Sequence, residues 1–503
     1  MNHPLLLELS AWPWLVRLSA VEGRHVTLQN VPSSEWDRIA GDGFNLLFLM
    51  GVWTRSVIGR ELALTDPSLV QEYDRILPGW SPADVAGSAY CIQRYEPDER
   101  MGGWSGLDTA RRELNTRGLR LIVDFVPNHT GFDHPWVAQH PERFVLGAAS
   151  DVDDAPEDFR MVESRIGMVH VACGRDPHFA PWRDVAQLNY FNPDTRDAMR
   201  GVLRSLAGHC DGVRCDMAML VINDVFERTW RRVLHGEWPR PAREFWPAAT
   251  RAVPGLIYVA EVYWDLEGVL LDQGFTYAYD KRLLDALHAP DAAPRVRHLL
   301  AGGTPEGTRL ARFIENHDEP RSAGAFTGRL PATSALAATL PGMRFLFDGQ
   351  QDGRRIRSPV QLARWPDEPI DVRVRAMYDA VLAFASQELL HAGEWRLLDV
   401  GPAGDDTFPA IVAYRWRTPA ALAVVVVNLG RSAAQANIAV SADLPAGIGF
   451  DFADAFTGAS YFWPRERLES TGLYVRLEAG GAHLFSVTVR FQPSAVSSES
   501  DIS

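Results

Sequence analysis

Eight short apolar runs, each followed by a stretch with helical spacing, constrain the fold of this chain more than any other feature. The stretches between the runs, such as GLDTARRELNTRG and PDTRDAMRGVLRSLAG, repeat apolar residues at intervals of three and four. This alternation is typical of βα units around a parallel sheet, and eight units predict a closed (β/α)8 TIM barrel. The runs are residues 5–10, 43–50, 119–126, 210–215, 255–261, 275–280, 311–316 and 343–348.

The alternation is interrupted twice, and both interruptions predict further domains. Residues 130–195 follow the third run and are rich in Pro, Gly, Asp and His, which predicts a small inserted domain at the active face of the barrel. Residues 389–490 contain alternating patterns such as AIVAYRW and LYVRLEA between turn residues, which predict an antiparallel β-sandwich. Residues 1–129 and 196–388 are then the barrel, and the Ser-rich, acidic residues 491–503 are predicted to be a disordered tail.

Composition excludes two classes of partner. The 503 residues include 64 acidic and 50 basic side chains, a formal net charge of −14, whereas a nucleic-acid-binding protein needs a basic face. No stretch reaches the roughly 20 apolar residues that a membrane span requires. We therefore expect neither a nucleic acid nor a membrane as partner, and the sequence does not indicate the oligomeric state.

The cysteines and the first residues predict a cytoplasmic protein. Cys91, Cys173, Cys210 and Cys215 have neither zinc-motif nor CxxC spacing, so reduced thiols are expected. The first residues, MNHPLLLELSAWPWL, lack a basic segment, and Glu8 interrupts their short apolar run. This pattern does not predict a signal peptide.

Polar and ionisable side chains stand where four of the eight runs end, at the positions that carry active sites in barrels of this kind. They are Asp124, Asn128 and His129 at the end of the third run, Arg214 and Asp216 at the fourth, Glu261 at the fifth, and His317 and Asp318 at the seventh. Alternation along a strand places Arg214 and Asp216 on one face, so the guanidinium is expected to keep the carboxylate ionised.

These four segments resemble the four signature regions of the α-amylase superfamily (glycoside hydrolase family thirteen), in the same order. Gln187-Leu-Asn189 is similar to that family's short motif near the end of the inserted domain. The plan of barrel, insertion and sandwich is also similar, so the resemblance covers nearly the whole chain. It implies a retaining glycoside hydrolase that acts on α-1,4-linked glucose oligosaccharides through a covalent glycosyl-enzyme intermediate.

The resemblance implies a role for each acid. Retaining cleavage needs two carboxyl groups about 5–5.5 Å apart, one to attack the anomeric carbon and one to protonate the leaving oxygen. Asp216 would be the nucleophile, Glu261 the acid/base, and Asp318 a third acid that binds sugar hydroxyls.

Six further residues are implied to bind substrate or to support the acids. His129 and His317 would donate hydrogen bonds to sugar hydroxyls, and Tyr90 would stack on the sugar ring next to the cleavage point. Arg214 would orient the nucleophile, Asp124 would orient Arg214 and its neighbours, and Trp264 would offer an aromatic platform.

The resemblance requires no cofactor but leaves room for a structural calcium ion, with Asn128 as its candidate ligand. Calcium takes six to eight oxygen ligands, and the inserted domain is rich in acids, as in SDVDDAPED. The alternative is that Asn128 holds its turn together through hydrogen bonds.

Two departures from the family pattern bear on substrate size. Met-Ala-Met-Leu follows Asp216, where many starch-cleaving members have a Lys-His pair on the leaving-group side. The segments after the sixth, seventh and eighth runs look short, including GQQDGRRIRSP. Together these features predict a preference for α-1,4-glucooligosaccharides of a few units over polymer.

Two alternative functions stay open at this point. The covalent intermediate can be resolved by a sugar instead of water, as in transglycosylases or sugar isomerases that act on maltooligosaccharides, sucrose or trehalose. A non-catalytic, carbohydrate-binding relative is the other alternative, which the presence of all three acids disfavours.

Overall fold

The computed structural model describes residues 2–302 and 305–491, with the side chains of residues 305 and 306 left out. Eight parallel strands close into a barrel in chain order, each paired with its neighbours in sequence and the first with the last. The predicted TIM barrel is therefore confirmed. Its strands are Leu5–Ser10, Leu46–Met50, Arg120–Phe125, Gly212–Cys215, Ile257–Ala260, Tyr277–Tyr279, Leu310–Arg312 and Met343–Phe347.

Helices follow each barrel strand and cover the outside of the barrel. The helices of the barrel region are Ala11–Glu22, Ser33–Gly41, Val57–Thr65, Pro67–Ile76, Gly103–Thr116, Pro193–Leu206, Asn223–Leu234, Trp246–Ala252, Glu267–Asp272, Lys281–His288, Ala292–Ala301, Ser322–Ala325, Leu330–Thr339, Val372–Ala385 and Glu388–Ala392. No helix in the described residues is long and apolar enough to span a membrane.

A small antiparallel sheet interrupts the barrel after its third strand. Its strands are His129–Gly131, Leu146–Gly147, Phe159–Ser164, Gly167–Gly174 and Trp182–Gln187, with short helices at Pro135–Gln139 and Ala149–Asp154. A second insertion follows the second barrel strand, where a two-stranded ribbon of Trp53–Arg55 and Ile92–Pro97 carries two of the helices. Both insertions leave the barrel at the carboxyl ends of its strands.

The C-terminal region forms two antiparallel sheets with an apolar core between them, as the alternating pattern predicted. The larger sheet contains Glu394–Leu397, Ile411–Arg417, Leu422–Asn428, Gly449–Asp454, Ser460–Pro464 and Ala482–Arg490, and the smaller contains Val400–Gly401, Ala434–Ile438 and Leu473–Leu477. A short helix, Arg465–Thr471, joins the two. Apart from Phe491, the predicted disordered tail lies outside the described residues.

The larger sheet packs on the barrel chiefly against one outer helix. In Leu330–Thr339, every residue except Pro331 is buried, so this helix lacks the solvent-facing stripe of an ordinary barrel helix. Trp416 of the sheet donates from its indole nitrogen to the carbonyl of Thr339 at 2.7 Å, and the Tyr414 and Thr339 hydroxyls lie 2.6 Å apart. The central strands of the sheet are therefore buried on both faces, which explains the continuous apolar run LAVVVVN.

Candidate active site

The fourth and fifth barrel strands place Asp216 and Glu261 side by side. Arg214 pairs in register with Val259, and Cys215 with Ala260, so the two acids occupy the next matched position. The ladder continues to this point, because the Glu261 amide donates to the Cys215 carbonyl at 3.0 Å. Neighbouring strands are about 4.8 Å apart, and alternation directs both side chains toward the barrel axis.

Close packing at the base of the fourth strand depends on Gly212. A Cβ atom at this position would lie 2.5 Å from the Ile122 side chain and 2.6 Å from the Ile257 carbonyl oxygen. The absence of a side chain lets the third, fourth and fifth strands approach each other, which fixes the register of the acids above.

One guanidinium contacts both acids. Arg214 Nη1 donates to Asp216 Oδ1 at 2.7 Å, and Nη2 lies 2.9 Å from Glu261 Oε2. The arginine is fully enclosed beneath the ring of Tyr90, and Asp124 Oδ1 lies 3.7 Å from Nη1. Asp124 is itself anchored, because it accepts a hydrogen bond from the Gly51 amide at 2.8 Å. The predicted cluster of Asp124, Arg214, Asp216 and Glu261 is thus assembled in one place.

Tyr263 and Met217 hold the Glu261 carboxyl group, and sequence reasoning missed both. The Tyr263 hydroxyl donates to Glu261 Oε1 at 2.8 Å, and the Met217 amide donates to Oε2 at 2.7 Å. Met217 adopts φ +42°, a left-handed conformation that is uncommon outside glycine. The spacing Glu261-Val-Tyr263 was the available signal, since alternation returns Tyr263 to the side of the acid.

The surroundings of the three acids give them different pKa values. Burial raises the pKa of Glu261 to about 7 against the opposing effect of Arg214, with further upward contributions from Asp216 and Asp318. Burial also raises the pKa of Asp216, while Arg214 lowers it. Enclosure in the pocket opposes ionisation of Asp318, but the charge and hydrogen bond of His317 bring its pKa down to about 2. Glu261 is therefore the acid suited to hold a proton near neutral pH.

His317 and Asp318 reach the same place from a tight turn after the seventh strand. Asn316 Oδ1 accepts the amides of Asp318 and Glu319 at 2.9 Å, which fixes the turn. His317 Nε2 lies 3.0 Å from Asp318 Oδ2 and 2.7 Å from the Tyr90 hydroxyl, and the Tyr90 ring stacks on the imidazole. His317 is buried, whereas about half of the Asp318 side chain is exposed.

His129 and Trp264 lie at the border with the inserted domain. His129 is buried beside Trp182, and burial lowers its pKa to about 3, so it is a neutral imidazole. Trp264 packs edge-on against His178 of the insertion, with ring centroids 4.9 Å apart. Trp264 and the following Asp265 both have positive φ angles, +64° and +59°. This turn brings the insertion next to the strand end that carries Glu261.

Asn128 forms a pair of side-chain hydrogen bonds with Gln187. Gln187 Nε2 donates to Asn128 Oδ1 at 2.9 Å, and Asn128 Nδ2 donates to Gln187 Oε1 at 3.2 Å. These bonds hold the turn of Asn128, as the alternative to a calcium ligand predicted, and a calcium ion at Asn128 stays a prediction. Within the described part of the chain, the cluster of His and acidic side chains spaced to hold a metal is His140, Glu142 and Asp194, and its two acids pair with Arg165 and Arg143.

The prediction that the segment after the eighth strand is short is wrong. Residues 348–371 run without a helix before Val372–Ala385 and pack against the second insertion, where Leu362 bridges to Val85. The Ala86 amide donates to the Gln361 carbonyl at 2.8 Å, and Arg357 Nη1 donates to the Asp318 carbonyl at 3.3 Å. These residues form a wall beside His317 and Asp318. Residues 348–371 show no regular spacing of apolar residues, so the sequence pattern did not predict this wall.

Sequence relatives of this chain are enzymes of one superfamily, although no protein-family model matches it. It is 27% identical over 319 residues to the α-amylase MalA of Haloarcula japonica, covering 62% of this chain and 43% of that protein. It is 27% identical over 318 residues to the trehalose-6-phosphate hydrolase of Escherichia coli, covering 53% of this chain and 55% of that protein. The chain thus spans about half the length of these curated relatives.

Solved structures share the fold over nearly the whole chain. The maltogenic α-amylase AmyB from Thermotoga neapolitana superposes with a TM-score of 0.68 at 18% identity, covering 98% of this chain and 100% of that one. The α-amylase from Geobacillus thermoleovorans, complexed with acarbose, superposes with a TM-score of 0.63 at 15% identity, covering 96% and 98%. The resemblance to the α-amylase superfamily, inferred from the four strand-end segments, is confirmed, because the sequence relatives and the superposed structures are both enzymes of this kind.

Proposed function

We propose that this protein is a retaining α-glycosidase of the α-amylase superfamily and that it hydrolyses α-1,4-linked glucose oligosaccharides. Asp216 attacks the anomeric carbon, and Glu261 protonates the leaving oxygen and then deprotonates the incoming water. Asp318 and His317 hold hydroxyls of the bound sugar, with Tyr90 and His129 lining the same pocket. Arg214 keeps Asp216 ionised and oriented, and Asp124 supports Arg214.

The observation that carries this proposal is the matched register of Asp216 and Glu261 with one guanidinium between them. A separation set by adjacent strands suits the roughly 5–5.5 Å of a retaining enzyme. An inverting enzyme needs about 6.5–9.5 Å, to admit a water molecule. The intact set of acids, each with its own hydrogen-bond partners, supports an enzyme over a non-catalytic binding relative.

Product analysis tests this proposal. Purified protein is incubated with maltooligosaccharides, isomaltose, sucrose and trehalose, and the products are separated by chromatography while NMR follows the first anomer released. We expect shorter maltooligosaccharides released as the α anomer. Products longer than the substrate would identify transfer to a sugar, and a β anomer as first product would contradict retention. Absence of turnover on every substrate would contradict the proposed activity.

The pH dependence should follow the protonation of two acids. Glu261 must be protonated for the first step, so kcat/KM is expected to fall as the pH rises through about 7, the pKa of this group. Asp216 must be ionised, so activity should also fall at acid pH. Because the two acids are coupled, the limbs report apparent values. Rates of maltooligosaccharide cleavage measured from about pH 4 to 9 would test this, because a glucose leaving group needs the proton of Glu261. An alkaline limb that stays in place in Glu261→Gln would assign it to another group.

Chain length should affect the rate, with oligosaccharides of a few units preferred over polymer. The wall of residues 348–371 stands against His317 and Asp318, and Arg357 fixes it to the Asp318 backbone. Glu261, which serves the leaving group, lies on a different strand, so we infer that the wall limits the glycone side. Each sugar unit adds binding energy only where side chains contact it, so units that extend beyond the wall would add none.

The measurement is kcat/KM for maltotriose to maltoheptaose against soluble starch, compared per chain. A strong preference for starch would contradict the inferred limit. Turnover of sucrose or trehalose alone, with no α-1,4-glucan cleaved, would replace the proposed substrate class and leave the superfamily unchanged.

Location stays a prediction. The four cysteines are buried free thiols, which supports the proposed cytoplasmic protein.

A further inference from the structure

Glu8, on the first barrel strand, is a completely buried carboxylate that has no part in the proposed mechanism. Its Oε1 atom lies 2.5 Å from Nδ1 of His317, although the two residues are 309 positions apart in the chain. Its Oε2 atom has no hydrogen-bond partner among the described residues. A buried carboxylate is costly unless it is paired, so the imidazole supplies the partner that this charge needs.

The second nitrogen of His317 also faces a carboxylate. Nε2 lies 3.0 Å from Asp318 Oδ2 and 2.7 Å from the Tyr90 hydroxyl. A neutral imidazole has one N–H and could donate to only one of the two acids, whereas an imidazolium donates from both nitrogens. The geometry, with an acid at each ring nitrogen, therefore favours the charged ring.

We propose that Glu8 is a positioning residue that holds His317 as an imidazolium, so that the sugar pocket keeps a second buried cation besides Arg214. This inference rests on the proposed function for its catalytic consequence, but the Glu8–His317 contact is independent of it. The charged ring presents a fixed N–H toward Asp318 and the sugar. It also balances the charges of Asp216 and Asp318, which both have to be ionised in the same pocket.

Charges from every neighbouring element act on His317. Burial opposes the charged ring, but Asp318 and Glu8 together raise the pKa of His317 well above its usual value. Asp216 faces the ring from the fourth strand, and Asp124 does so from the third, where burial raises the pKa of Asp124 to about 7. Arg55 lines the same small cavity and opposes the acids, Arg357 binds the Asp318 carbonyl, and the Tyr90 ring covers one face of the imidazole. The two carboxylates in contact with the ring, Glu8 and Asp318, dominate its electrostatic environment.

The variant Glu8→Gln removes the charge of residue 8 while nearly keeping the shape of its side chain. The glutamine oxygen can still accept from Nδ1, but the charge is lost. In protein labelled with 15N-histidine, we expect His317 to stay charged from about pH 5 to 8 in the wild type and to titrate within that range in Glu8→Gln. His317→Gln assigns the resonance. We expect kcat/KM of Glu8→Gln at pH 7 to be about 10- to 100-fold lower, as for other buried partners of site residues.

The direction of the pH shift identifies the group responsible. A neutral His317 would leave Glu261 in a more negative site and raise its pKa, which would move the alkaline limb upward. We expect the alkaline limb of Glu8→Gln to move downward instead, because activity is now lost when His317 loses its proton. Activity should recover toward the wild-type level as the pH is lowered.

Two further variants complete the test. Glu35→Gln makes the same chemical exchange on an outer helix and should leave both the spectrum and the pH profile unchanged. Glu8→Asp keeps the carboxylate, so His317 should stay charged even if the rate falls, which covers the case in which Glu8→Gln does not fold. An unchanged His317 spectrum in Glu8→Gln, or a loss of rate that is uniform with pH, would overturn the proposal. If the wild type cleaves no α-glucoside while His317 titrates only in Glu8→Gln, the proposed activity fails and the Glu8–His317 assignment stands.

Discussion

Asp216→Asn should fold normally and lose about 10³- to 10⁶-fold in kcat, because the amide is nearly isosteric with the carboxylate but cannot attack the anomeric carbon. The amide oxygen can keep the hydrogen bond from Arg214 Nη1, now 2.7 Å long, so the site should retain its shape. The measurement is turnover of maltooligosaccharides and of a nitrophenyl glycoside by purified protein, with circular dichroism and thermal unfolding to establish the fold.

Asp211→Asn is a matched control for this variant. Asp211 precedes the same strand at the opposite end of the barrel, where it pairs with Arg111 at 2.8 Å. The exchange weakens this ion pair, but the asparagine oxygen can still accept the hydrogen bond from the Leu121 amide, so kcat should stay unchanged. If Asp216→Asn kept more than a few per cent of wild-type turnover, the nucleophile would have to be assigned elsewhere.

Glu261→Gln should lose activity selectively, according to the leaving group. Natural glucosides need a proton on the departing oxygen, so their cleavage is expected to fall by about 10²- to 10⁴-fold, the usual contribution of general acid catalysis. Nitrophenyl glycosides leave without that proton, so they should still form the intermediate. Tyr263 and the Met217 amide can still bind the glutamine side chain, which keeps the position of residue 261.

Azide then reports the stereochemistry. In Glu261→Gln no base activates water for the second step, but azide needs none and should resolve the intermediate. A glycosyl azide of retained configuration, identified by NMR, is the expected product. A glycosyl azide of inverted configuration would exclude a covalent intermediate on Asp216. An equal loss of rate on natural glucosides and on nitrophenyl glycosides would argue against Glu261 as the acid.

The sequence predicted those parts of the site that obey a repeating rule. Strand runs are short and apolar, and barrel active sites lie where such runs end, so the sequence alone indicates Asp216 and Glu261 as the candidate pair of acids. The two acids lie side by side because the fourth and fifth strands are parallel neighbours, an arrangement that eight successive βα units already imply.

Contacts between distant segments could not be predicted in the same way. Glu8 interrupts an apolar run, and the alternation of side chains along its strand directs it into the barrel, so the sequence could have indicated a special role. Its contact with His317, however, forms only when the barrel closes between the first and eighth strands. Residues 348–371 have no periodicity, and their fold depends on the second insertion. The Asn128–Gln187 pair likewise forms only when the inserted sheet folds back on the third strand.

The helix Leu330–Thr339 decides whether the C-terminal region is separable from the barrel. Because every residue of this helix except Pro331 is buried, a barrel without the sheet would expose part of this Ala- and Leu-rich surface to water, and exposed apolar surface promotes aggregation. Burying one large apolar side chain is worth about 1.5–3 kcal/mol, which is a considerable part of the 5–15 kcal/mol that stabilises a typical domain. The β-sandwich thus completes the hydrophobic core of the barrel. A barrel expressed without it is expected to aggregate, even though its active-site residues are all present.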